Sequence, residues 1–177
     1  MDWSIRSFAQ KSDISGVPFQ PGDRVISLLM RIQGQAEIAR FDFLEQEADQ
    51  FQTEGGLLGK WTTVIRDDHE TTEDKRERRL RKLGSLDELF ISLVNPDTTG
   101  EERAVEDDDV VQDRQLLCYL VALTLERKKI LRLKEKESTS LVLRYQHAQR
   151  DETYEVVVVK PSADRLLRVQ DALSGLL

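Results

Sequence analysis

The sequence predicts an α+β fold: a β-rich N-terminal hairpin region, a charged linker, and a long central helix packed on a C-terminal β-hairpin and a terminal helix. Three observations predict it. Residues 24–32 (RVISLLMRI) and 36–43 (AEIARFDF) are β-type runs broken at Gly34, so they read as a hairpin. Residues 116–125 are apolar nearly all round, the mark of a helix buried on most sides. Residues 154–160 (YEVVVVK) form a β-branched run that stops at Pro161-Ser162, where a helix can start.

The elements follow in order along the chain. Trp3 to Phe8 suits a first strand, with Ser15-Gly16-Val17-Pro18 and Pro21-Gly22-Asp23 as turns around Phe19. After the hairpin, residues 44–51 read as irregular or briefly helical, and Gly55-Gly56 and Gly59 as a turn before the apolar segment 57–65. Residues 66–82 (RDDHETTEDKRERRLRK) offer no apolar face wide enough to pack, so the expectation is a mobile linker. Ser85 then caps a short helix with Glu88 three positions on, and Leu86, Leu89, Phe90, Leu93 and Val94 form its buried stripe up to Asn95-Pro96.

The central helix is expected over 110–136. Acidic residues 106–109 at its start, and Arg127, Lys128, Lys129, Arg132 and Lys134 towards its end, match the helix macrodipole. Leu116, Tyr119, Leu120 and Leu123 have the i, i+3, i+4, i+7 spacing of a face that meets a sheet, and 126–129 is where the helix leaves the core. Residues 140–145 and 154–160 make the second hairpin around a polar loop, and a last helix capped by Ser162 carries Leu166, Val169 and Leu173 on one face. The organisation is thus a β-rich part over 1–65, a charged linker over 66–84 and an α+β part over 85–177. One shared core is expected, because each half alone is small for independent stability.

Composition sets the outer bounds. The chain has 177 residues, 39% hydrophobic and 33% charged, with a net charge of -7, which is enough to fold without staples and mildly disfavours a nucleic-acid binder. Its one cysteine, Cys118, lies in the apolar run and reads as a small buried hydrophobe. No signal-peptide pattern and no apolar stretch of membrane-spanning length occur, so the expectation is a cytoplasmic protein with no membrane contact.

The chemistry-bearing residues are few. His69 and His147, the two histidines, have no ligand-spaced partners and read as surface residues. Gly55-Gly56-Leu57-Leu58-Gly59-Lys60 lacks the spacing and the Ser/Thr of a phosphate-binding loop. Glu101, Glu102, Glu106, Asp107, Asp108 and Asp109 could hold a hard cation by composition, but the spacing matches no EF-hand, and a solvated loop leading into a helix explains them more simply. Catalytic residues, metal ligands and cofactors are therefore not assigned. Two basic stripes stand out: 75–82, with Arg76, Arg78, Arg79 and Arg81, and 127–136, with Arg127, Lys128, Lys129 and Arg132. Such stripes suit phosphate backbones, yet neither carries an interleaved aromatic for base stacking.

The ordered elements W-S-I-R at 3–6, S-G-V-P-F-Q-P-G-D at 15–23, A-R-F-D-F at 39–43, G-K-W at 59–61, C-Y-L-V-A-L-T-L-E-R-K-K-I-L at 118–131 and R-V-Q-D-A-L-S-G-L-L at 168–177 resemble a family of uncharacterised bacterial proteins. That family has no assigned activity. The resemblance covers most of the chain and implies one coherent unit. Its members often carry a cysteine before the T/S-G-x-x-F-x-x-G-D/E hairpin, as in half a zinc knuckle; Ser12 and Asp13 stand there in this chain, so it implies no metal. The expected function is a non-enzymatic protein-protein interaction or assembly factor. The alternatives are a nucleic-acid or ribosome-associated accessory protein acting through the basic stripes, and an enzyme of unrecognised type.

Overall fold

A computed structural model describes residues 9–35, 37–66, 72–95, 107–136 and 141–174, without the side chains of 72–79, 135, 136 and 174. The expected first strand over Trp3 to Phe8 lies outside the described residues. Two three-stranded antiparallel sheets and three helices confirm the α+β class.

The first sheet has the order β2-β1-β3, with β1 Arg24–Ile32, β2 Ile38–Leu44 and β3 Gly55–Val64. The hairpin expected from the alternating runs is present, with Ser27 opposite Asp42. Central β1 is buried from Val25 to Met30, because both faces of the sheet are covered. Side chains alternate along a strand, and Leu29 accordingly joins the main core while Ile26, Leu28 and Met30 join Phe43 in a smaller one. Phe51, just after a 3-10 turn Glu45–Gln50, stacks on Phe43 with ring centroids 4.9 Å apart.

Gly55, Gly56 and Gly59 belong to β3, not to a turn before it. A Cβ at Gly56 would strike Val110, and one at Gly59 would strike Leu89, so these glycines admit helices close to the strand. A bulge between Leu29 and Met30 accompanies them.

Helix α1 spans Thr72–Val94. The segment read as linker is therefore helical from Thr72, and Ser85 lies within the helix instead of capping it. At 1.5 Å per residue its 23 residues reach about 34 Å. Its second half packs as expected, burying Leu86, Leu89, Phe90 and Leu93. It also shields the edge of the sheet: Lys60 N–H donates to Ser92 Oγ and Thr62 N–H to Glu88, both at 2.9 Å. Edge strands with free backbone groups invite foreign pairing. The opposite edge, β2, is met by the N-terminal loop, where Asp42 N–H donates to Asp13, while Leu44 N–H donates to Glu47 of the following 3-10 turn.

Helix α2 spans Asp108–Arg127, ending nine residues earlier than expected, and Leu131–Lys136 is strand β4. The deepest face also differs. Leu116, Leu117, Val121, Ala122 and Leu125 are essentially inaccessible, whereas Tyr119, Leu120 and Leu123 are half-buried. The run is apolar on every side, so periodicity alone leaves the inward face open; Val110 against Gly56 and the buried Asp113 fix it.

The second sheet has the order β4-β5-β6, with β5 Val142–His147 and β6 Thr153–Val157. The expected hairpin thus gains a third strand. Helix α3, Ala163–Ser174, starts where Arg165 N–H donates to Ser162 Oγ at 3.3 Å. One continuous buried cluster takes in Leu58 and Trp61, the inner faces of all three helices, and Leu131, Tyr145 and Val156 of the second sheet.

Candidate interaction surface

Helices α1 and α2 pack on each other, and the β5-β6 loop touches both α1 and the turn after α2. Ala148 N–H donates to Ile130 C=O at 2.7 Å, which seats the β5-β6 loop on the α2-β4 turn. The same loop is pinned to α1, where His147 Nε2 stands 3.1 Å from Asp87 and Arg150 reaches the other Asp87 oxygen at 3.2 Å. Phe90, one turn further along α1, meets Tyr154 edge-on at 5.3 Å. Arg81 and Lys82 lie one to two turns before Asp87 on the same helix. Arg76, Arg78 and Arg79 occupy the same helix further out; their side chains lie outside the described residues. Arg132 is exposed on β4 next to the α2-β4 turn.

The turn that carries the second stripe has a defined geometry. Ile130 N–H donates to Leu125 C=O and Lys129 N–H to Glu126 C=O, both at 2.9 Å, the paired bonds of a Schellman cap. Lys129 takes the left-handed position with φ 61°, the only non-glycine residue with positive φ among those described. Glycine is the usual occupant, and a side chain there costs about 1 kcal/mol. Arg127, Lys128 and Lys129 are exposed and make no ion pair among the described residues. The neighbouring acids are engaged: Glu126 accepts from Tyr145 Oη at 3.1 Å, and Asp87 holds His147 and Arg150. Burial, followed by the Glu126 charge, pushes the Tyr145 hydroxyl well above its ordinary range, so it stays a donor.

His147 is not the surface residue expected from its polar neighbourhood: its side chain is 2% exposed. Nδ1 accepts from the Gln149 and Arg150 N–H groups at 3.1 Å, which leaves the proton on Nε2, facing Asp87. Both nitrogens are committed to holding the loop. Nothing in the local sequence signals this role, because Asp87 is distant along the chain. His69 lies outside the described residues.

At the opposite end, Arg31 of β1 and Arg165 of α3 each bridge Asp109 and Asp113 of α2. The Arg165 hydrogen bond and the Arg31 charge hold the Asp109 carboxyl below its usual range. Asp107 caps α2 by accepting from Asp109 N–H at 3.1 Å. Of the acidic set, Glu101, Glu102 and Glu106 lie outside the described residues. Among the described residues no group of three or more His, Cys, Asp and Glu side chains could hold a metal ion, and no helix is long and apolar enough to cross a membrane. Burial pushes the Cys118 thiol up to about 12, so it stays protonated at neutral pH. No family model, curated protein or solved structure matches the chain.

Proposed function

We propose that the protein is a non-enzymatic interaction or assembly factor that meets another protein through the basic end of α2. The observation that carries this reading is the fixed α2-β4 turn, with Arg127, Lys128 and Lys129 exposed and unpaired among the described residues. Exposed cations gain little from intramolecular pairs, whereas a complementary partner uses them for register and fast association.

The same cations favour a second reading, contact with a nucleic-acid backbone through counterion release. Affinity capture before and after nuclease treatment separates the two, run with the wild type and with Arg127→Glu/Lys128→Glu. Capture of a protein that survives nuclease and is lost on charge reversal supports the first reading. RNA or DNA that co-purifies and is released by salt supports the second. Capture indifferent to charge reversal removes this surface from consideration.

A further inference from the structure

We infer that the basic end docks an acidic, carboxylate-rich segment of a partner protein, and that Lys129 is its anchoring residue. This inference rests on the interaction reading above.

The α2-β4 turn presents Arg127, Lys128 and Lys129 in succession. The C-terminus of α2 contributes roughly half a negative charge, so three cations leave a clear positive surplus. Lys129 adds a third cation at a position whose φ of 61° suits glycine. Backbone strain of this kind concentrates where a side chain has a task. The Schellman bonds fix the Lys129 backbone, and the Ile130–Ala148 bond fixes the loop beside it. The anchor is therefore held in place before a partner arrives, which lowers the cost of ordering on binding.

Charge balance selects the kind of partner. The chain carries a net charge of -7, and α2 begins at the far end with the exposed Asp107 and Asp108. A long, uniformly charged polymer would extend beyond the basic end and be repelled by the remainder of the molecule. A short carboxylate-rich segment confines its charge to the patch.

Anisotropy titration of the full chain with a labelled oligoglutamate peptide, beside a single-stranded oligonucleotide of equal charge, tests this at low and physiological salt. The peptide should bind, more weakly as salt rises, and Lys129→Gly should weaken it about fivefold. That variant should also melt about 3 °C higher, because glycine relieves the turn; weaker binding with greater stability is an outcome that a merely structural lysine cannot give. Equal peptide affinity in Lys129→Gly and wild type overturns the inference. So does tighter binding of the oligonucleotide through the same residues. If the peptide fails to bind while the nuclease-resistant capture persists, this inference falls and the interaction reading stands; if the capture fails as well, both fall.

Discussion

Asp113 is fully buried on α2, and two arginines from distant parts of the chain converge on it, Arg31 at 2.5 Å and Arg165 at 3.1 Å. The cluster ties β1 of the first sheet and the terminal helix to the central helix. Removing one partner of a buried ion pair strands the others, which typically costs about 3–5 kcal/mol. Asp113→Ala should lose about that much in denaturant unfolding; a loss under about 1 kcal/mol would mean that the arginines find water instead. Ser12 and Glu47 give a second case. Burial raises the Glu47 pKa, but hydrogen bonds from Ser12, Ser15 and Leu44 outweigh it and hold the carboxyl below its ordinary 4.5. A lowered folded-state pKa adds stability above the unfolded value and loses it as pH falls through the folded one. Ser12→Ala should therefore cost stability at neutral and alkaline pH, by a gap that narrows as pH falls through the Glu47 range. A gap that stays the same at all pH values would deny the linkage. Residues of this sort are hard to read from a sequence, because each depends on partners brought together only by the fold: Asp113 and His147 show nothing locally that marks them as buried.

Strands other than β4 were legible because side chains of period two leave an alternating record, as in 36–43, and because β-branched runs such as 154–160 have few other uses. The helices were legible in their apolar halves only. The start of α1 is charged and shows no apolar stripe before Leu83, so composition suggested a linker although the backbone is helical from Thr72. The end of α2 lies nine residues before the expected one; no glycine or proline marks it, and Lys129 does the turning. The candidate surface was half legible: both stripes could be named from charge, but the turn that presents Arg127, Lys128 and Lys129 precedes a β4 strand that the sequence disguised as helix. The inward face of α2 can be tested directly. Leu117 is 0% exposed and Leu120 half-buried, so Leu117→Ala should cost about 2–5 kcal/mol and Leu120→Ala distinctly less. Leu80 on α1 is 59% exposed, and Leu80→Ala should stay within about 0.5 kcal/mol. A larger loss for Leu120 than for Leu117 would reverse the assigned face.

At the scale of the whole molecule, neither sheet closes a core by itself. Leu29, Leu58 and Trp61 of the first sheet share one buried cluster with α1, α2 and the inner face of the second sheet. Gly56 and Gly59 let Val110 and Leu89 settle directly on β3, and the Asp113 cluster joins β1 to α2 and α3. Such contacts make the stability of each half conditional on the other, because unfolding one would expose the apolar face of its neighbour. A single cooperative transition follows, and Trp61 can report it: the side chain is 3% exposed in the common cluster, with Arg40 over its ring at 5.0 Å. In a Trp3→Phe variant the fluorescence comes from Trp61 alone, while far-UV circular dichroism is dominated by the helices. Denaturant curves from the two probes should superimpose, with one midpoint and one slope. If the Trp61 signal changes at a lower denaturant concentration than the helical signal, the first sheet opens as a separate unit. Its contacts with α1 and α2 would then be a docking interface between two bodies, and the basic end would be assembled from parts able to move against each other.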